Sequence, residues 1–137
     1  MIVDFIRGDV FKSNFKYIAF AVNTEGINDD GFAGAVSNSY WYGLANTGEK
    51  KLGETLSKYT RGKTFHALVC HSLDINGWAK TPQIVTQCLD SLAVLKEEII
   101  ACVLMGAGRD GKMGGADVIA ILGGIARSKK KVVIYTL

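Results

Sequence analysis

The chain is poor in the residues that build metal centres and disulfide frameworks. It holds only two histidines, His66 and His71, and three cysteines, Cys70, Cys88 and Cys102. The cysteines are odd in number, far apart and without metal-ligand spacing. This argues against structural zinc and against a secreted scaffold, and the cysteines read as reduced, mostly buried thiols of a cytoplasmic protein. No apolar run approaches the ~18 residues of a membrane span. The start, Met-Ile-Val-Asp-Phe-Ile-Arg, reads as a strand and lacks the basic segment and long apolar stretch of a signal peptide. Only one proline, Pro82, interrupts the 137 residues, and no linker is visible, so residues 1–137 are expected to form one domain. An excess of one charge is also lacking: 16 basic against 13 acidic residues leave a net +3. The only basic run, Lys129 to Lys131, lies between an apolar helix and an apolar strand and reads as a solvated helix end, so no nucleic-acid groove is expected. With 48% hydrophobic and 21% charged residues the chain is globular in composition rather than disordered.

Glycine, by contrast, is plentiful, at 16 residues. Gly106, Gly108, Gly111, Gly114 and Gly115 crowd into the stretch from Ile99, where an apolar strand runs into a loop carrying Arg109, Asp110 and Lys112. Residues without a Cβ allow positive φ and close backbone approach, and a helix starting near Gly115 directs its positive dipole end at the same spot. A nucleotide or sugar-phosphate ligand is the first inference. The spacing is not G-x-x-x-x-G-K-[ST]. Gly106, Gly108 and Gly111 match G-x-G-x-x-G only in form, with Asp110 inside it and no acidic residue at the expected distance downstream. A merely tight strand-to-helix turn is the competing reading.

The remaining pattern alternates strands with helices. Val3 to Ile6 is a short strand ended by Gly8-Asp9, and Tyr17 to Val22 is a continuous apolar run of the kind covered on both faces. A polar loop, Thr24 to Gly31, leads to a helix over Phe32 to Tyr42. Glu54 to Tyr59 and Lys63 to His71 read as a strand pair turning at Arg61-Gly62. Thr81-Pro82 opens a helix with Ile84, Cys88, Leu92 and Leu95 on one face. Ile99 to Met105 is the next buried strand. Val118, Ile119, Leu122, Ile125 and Ala126 keep helical spacing, and Val132 to Thr136 closes the chain as a strand. The expectation is an α/β fold, a three-layer α/β/α sandwich with a mostly parallel mixed sheet. In such sheets ligands bind beyond the strand carboxyl ends, where Asn23, His71 and the Gly106 to Gly115 loop would converge.

These residues match a known pattern. Val22-Asn23-Thr24-Glu25-Gly26-Ile27 followed by Gly31-Phe32-Ala33-Gly34-Ala35-Val36 resembles the V-N-x-x-G and G-[IVF]-A segments of macro domains, α/β modules that bind ADP-ribose. Gly8-Asp9-Val10-Phe11 is similar to the family's Gly-Asp-[IV]-[TF] motif after the first strand. Gly106-Ala107-Gly108-Arg109-Asp110-Gly111 is similar to its second phosphate loop, especially in the branch of ADP-ribose 1''-phosphate phosphatases, terminal ADP-ribose glycohydrolases and the antitoxin of a DNA-ADP-ribosylating toxin pair. The resemblance implies that Asp9 accepts the adenine amino group beside the Val10 backbone, and that Asn23 contacts the distal ribose. It implies that Gly31, Phe32 and Ala33 pass close to that ribose and the diphosphate, that Gly106, Ala107, Gly108, Arg109 and Gly111 wrap the diphosphate with Lys112 beside them, and that Asp110 takes part in catalysis. The chain departs from that branch in having His71 or Ser72 where a lysine ends the middle strand, with Lys80 some residues later, and in Asp29-Asp30, which acidifies a loop that is usually glycine-rich.

Each residue also has a plainer reading. Asp110 is either a helix cap or a ligand-facing carboxylate, His71 a core residue at a strand end or a general acid/base, and Asn23 and Asp9 turn residues or ligand contacts. His66 reads as structural, Trp41 and Tyr42 as packing on a helix, and Trp78 as a cover for the pocket. Three functions stay open: a hydrolase acting at the distal ribose through Asp110 and His71, a binder of ADP-ribose-type nucleotides without turnover, and a domain acting through protein contacts. The expectation includes no cofactor, no metal and a monomer.

Overall fold

The strand Tyr17–Asn23 sends alternate residues to opposite sides: Ile18, Phe20 and Val22 join one apolar cluster, Ala19 and Ala21 another. A strand buried on both faces belongs inside a parallel sheet with a layer on each side. The computed structural model describes residues 1–28, 31–44, 46–72, 81–103 and 115–136, with the helix backbone alone at 115–117. Its strands are β1 (Ile2–Arg7), β2 (Tyr17–Asn23), β3 (Thr55–Thr60), β4 (Lys63–His71), β5 (Ile99–Val103) and β6 (Lys131–Thr136), and its helices α1 (Gly31–Ser39), α2 (Thr81–Ser91) and α3 (Gly115–Ala126). The sheet order is β1-β6-β5-β2-β4-β3. All neighbours are parallel except β3, which forms an antiparallel hairpin with β4.

From β2 the chain runs through α1 to the β3–β4 hairpin on one side, then from β4 through α2 back over β2 to β5 on the other. Parallel crossovers are right-handed, so connections that travel in opposite directions place their helices on opposite faces. Accordingly Ala33 and Val36 of α1 pack on Phe20, Val22 and Phe65, while Val85 and Leu89 of α2 and Ile121 and Ile125 of α3 pack on Leu68, Ile100 and Ile134. The expected three-layer α/β/α sandwich with a mixed, mostly parallel sheet is observed. No described helix is long and apolar enough to cross a membrane.

The hairpin turns at Arg61 and Gly62 as read, with φ of 52° and 77°. A primed two-residue turn needs both signs positive, and the non-glycine Arg61 is held there with its guanidinium 5.0 Å from the Tyr40 ring centroid. Three expectations on the helices are corrected. Helix α1 stops at Ser39 rather than Tyr42, because the Tyr40 and Trp41 N–H groups both donate to the Val36 carbonyl and Gly43, at φ 92°, turns the chain away. Trp41 still packs on the core, but Tyr42 is 97% exposed. Helix α2 ends at Ser91, and Val94 rather than Leu95 turns inward. In α3 Ile121 joins Ile125 in the core, and Ile119 is exposed.

Helices α2 and α3 approach so closely that a Cβ on Gly124 would lie 2.2 Å from the Pro82 carbonyl oxygen. The Thr86 hydroxyl donates across the same contact to the Gly124 carbonyl. At Gly123 an added Cβ meets nothing within 4 Å. Gly→Ala in a helix gains up to ~1 kcal/mol of propensity, whereas forcing a methyl into packed backbone costs about 1–3 kcal/mol or more. Urea unfolding should therefore find Gly123→Ala neutral or stabilised and Gly124→Ala destabilised by about 2 kcal/mol.

The buried thiols are unreactive in character. Cys70, Cys88 and Cys102 are free and buried, and burial pushes Cys88 up to about 11 and Cys102 up to about 12, with Cys70 raised further. His66, on the α2/α3 face of β4, stacks on Tyr17 and shares a 2.8 Å hydrogen bond between its Nδ1 and the Ser57 hydroxyl, while its buried Nε2 has no partner among the described residues. Burial lowers its pKa from 6.5 to about 4. The unfolded chain then binds a proton that the native state refuses. The stabilising effect is complete above the unfolded pKa of 6.5 and is lost as pH falls toward the folded value of about 4. Between about pH 8 and pH 5 the native state should lose roughly 1–2 kcal/mol from this group. Denaturant unfolding at both pH values checks it: the loss should shrink in His66→Gln.

Candidate functional site

Because five of the strands run the same way, their carboxyl ends share one edge of the sheet. The strand order reverses about β2, between β5 and β4, and a crevice opens at the carboxyl end of such a switch point. Asn23 ends β2 and His71 ends β4, and the two are register partners. They sit together as the strand-end reading expected. Val103 ends β5, and the chain continues there into the glycine-rich stretch. Asp110 and the loop residues Gly106, Ala107, Gly108, Arg109, Gly111 and Lys112 lie outside the described residues, as do Asp29, Asp30, Trp78 and Lys80.

Asp9 and Val10 follow β1 at the far end of the same edge. Three inter-strand steps separate the β1 and β2 exits, roughly 14 Å at the usual spacing, so a ligand touching both ends of the edge has to be elongated. The Asp9 carboxylate accepts the Phe11 N–H at 2.9 Å and caps a 3-10 turn over Val10–Lys12. Asp9 is exposed and Val10 buried. Phe11 stacks on Phe32 at 4.9 Å and on Tyr40 at 5.0 Å, with interplanar angles of 9° and 2°. This column of rings locks the Asp9 turn beside the start of α1. Gly31 opens that helix at φ 62°, a conformation that favours glycine, and its N-terminus carries positive potential. Ala33 is buried, and the Phe32 ring is used in packing, also against Phe20 at 5.5 Å.

Asn23 is 6% exposed, and its amide is engaged at both ends. Its Nδ2 donates to the Ile27 carbonyl at 2.6 Å and its Oδ1 accepts the Ile27 N–H at 3.1 Å, while its backbone N–H donates to the Asn28 side-chain oxygen at 3.1 Å. The side chain thus shapes the loop between β2 and α1. A second layer holds that loop: Ile27 bridges to Asn46, Lys50 N–H donates to the Thr24 carbonyl at 2.8 Å, and a Cβ on Gly26 would lie 2.2 Å from the Gly48 oxygen. His71 is 9% exposed, with Nδ1 3.9 Å from the Cys70 sulfur.

Glu25 is the group that the residue-by-residue reading passed over. Its carboxylate accepts the Thr24 hydroxyl at 2.9 Å and the Ser72 hydroxyl at 3.0 Å. Only its place inside the Val22 to Ile27 motif could have flagged it. Two clefts of about 250 Å³ lie elsewhere, one between Asn14–Lys16 and Glu97–Ile99, the other between Ser37, Tyr42 and Arg61. Both open at the amino edge of the sheet, away from these residues. Among the described residues no group of histidine, cysteine and carboxylate side chains is arranged to hold a metal ion.

Comparison with protein-family models gives no match, and neither does comparison with curated proteins. Solved structures do share the fold. The macrodomain of Mycobacterium tuberculosis DarG superposes with a TM-score of 0.67 at 15% identity, covering 100% of this chain and 98% of that one. An Oceanobacillus iheyensis macrodomain mutant with ADPR gives 0.72 at 16% identity, covering 98% and 83%. An alphavirus P23pro-zbd chain gives 0.68 at 15% identity, and this chain spans 22% of its length.

Proposed function

We propose that this chain, whose fold is that of the macrodomains, binds ADP-ribose or a derivative of it along the carboxyl edge of the sheet and hydrolyses the derivative at the distal ribose. One observation carries the reading. The Phe11–Phe32 stack brings the Asp9–Val10 turn against the glycine-led start of α1, on the same edge as Asn23 and His71. An elongated, anionic ligand with a base at one end suits that arrangement, and the solved macrodomains with ADPR and with ADP support the choice.

In this reading the free oxygen of Asp9 accepts the adenine amino group, beside Val10. The backbone of Gly31, Phe32 and Ala33, at the positive end of α1, faces the diphosphate from one side, and the N–H groups of Gly106 to Gly111 face it from the other, with Arg109 and Lys112 adding charge. At the distal ribose Asp110 orients or activates water. His71 supplies a proton to the leaving group or holds a leaving phosphate, and the loop amides stabilise the developing negative charge. Binding without turnover is the second reading. It is favoured by the burial of His71 and by the commitment of both ends of the Asn23 amide to Ile27.

Calorimetry should find one ADP-ribose bound per chain, and adenine or ribose 5-phosphate alone bound far more weakly. Asp9→Asn keeps the cap of the 3-10 turn and removes the second acceptor. It should weaken ADP-ribose by about 0.5–1.5 kcal/mol and leave an inosine analogue, which lacks the amino group, unaffected. With ADP-ribose 1''-phosphate and ADP-ribosylated conjugates as substrates, Asp110→Ala should lower turnover by ~10² while affinity stays within a few-fold. Tight binding with no product released from any of these substrates would select the second reading. No interaction at millimolar ADP-ribose would reject both.

A further inference from the structure

The ladder between β2 and β4 is irregular at the candidate site. Val22 pairs with Val69, but the next residue, Asn23, pairs with His71, so Cys70 is skipped. A bulge of this kind lets a strand end bend and re-aim its side chains, and it gives up ladder bonds where it occurs. One backbone bond lies beyond it, from the Thr24 N–H to the His71 carbonyl at 3.0 Å. Among the described residues a side chain, Glu25, also links the two exits. One carboxylate oxygen holds the Thr24 hydroxyl and the other holds the Ser72 hydroxyl, across 47 residues of sequence.

We infer that Glu25 is a positioning residue of this site: its carboxylate clamps the bulged exit of β2 to the exit of β4, and so sets the spacing of Asn23 and His71 toward the ligand. The inference rests on the ADP-ribose reading above for the identity of the ligand, though the clamp itself does not. A carboxylate that accepts two hydroxyl protons forms a directional link, and here, at 2.9 and 3.0 Å, it lies just beyond the register shift of the ladder. Direction matters more than charge in this role. Glutamine has the same length, and its amide can accept from one hydroxyl and donate to the other, because a hydroxyl rotates to suit its partner. Alanine can do neither.

The test uses the full chain and ADP-ribose. Glu25→Ala should weaken binding about tenfold and Ser72→Ala should reproduce most of that loss. The double variant should be little worse than either, as expected of two groups in one contact. Glu25→Gln should stay within about twofold of the unsubstituted chain. Without ligand, amide hydrogen exchange at Thr24 should speed up in Glu25→Ala and remain unchanged in Glu25→Gln. Wild-type affinity in Glu25→Ala would overturn the inference, as would equal losses in the glutamine and alanine variants, which would make charge rather than the clamp the active property. Failure of the unsubstituted chain to bind ADP-ribose would reject the proposed ligand only. The Thr24 amide would then decide the clamp alone: faster exchange in Glu25→Ala upholds it and unchanged exchange removes it.

Discussion

The organisation of this molecule follows from one constraint, the placement of β2 between β5 and β4 with parallel neighbours on both sides. Parallel strands cannot be joined by tight turns, so each connection must leave the sheet, cross a face and return. Right-handed crossovers in opposite directions then put α1 on one face and α2 and α3 on the other. The same reversal sends the segment leaving β2 to one face and the segments leaving β4 and β5 to the other. In open α/β sheets the carboxyl edge at such a reversal is where ligands reach backbone amides and helix ends together.

Packing on the α1 face turns this general opportunity into a specific arrangement. Phe11 lies between Phe32 and Tyr40 in near-parallel stacks, a geometry worth about 0.5–1.5 kcal/mol per pair beyond the area buried. The column ties a short turn after the edge strand β1 to a helix that follows the central strand β2. Asp9 and Gly31, 22 positions apart in the chain, owe their common neighbourhood to those rings. At the other end of the edge, polar contacts replace aromatic ones. Asn23 fastens Ile27, Lys50 fastens Thr24, and Glu25 fastens Ser72. Rigid packing therefore serves one end of the site and a hydrogen-bonded loop the other.

Much of the fold was legible because β2, β4 and β5 are buried on both faces, and such strands leave continuous apolar runs. The hairpin was readable from Arg61-Gly62, since few dipeptides suit a primed turn. Asn23 and His71 could be placed at one edge because a polar residue ending an apolar run marks a strand exit. The helices were harder. Ile119 and Ile121 are both apolar, and Ile121 lies on the same face of α3 as Gly124, which packs on Pro82 of α2. Tyr42 fell outside α1 because the end of that helix is set by a shared carbonyl at Val36, which leaves no local signal. Glu25 escaped for a related reason. Its partner Ser72 is distant in sequence, and a side-chain bridge between strand exits exists only once the strands have been paired.

Amide chemical-shift mapping during a titration with ADP-ribose tests the location of the ligand most directly. The largest changes are expected at Asp9, Val10, Gly31, Phe32, Ala33 and the Asn23–Thr24 exit of β2, with the amino edge of the sheet unaffected. Saturable binding that instead moves the Ser37–Tyr42 and Arg61 amides and leaves the carboxyl edge unchanged would contradict the account.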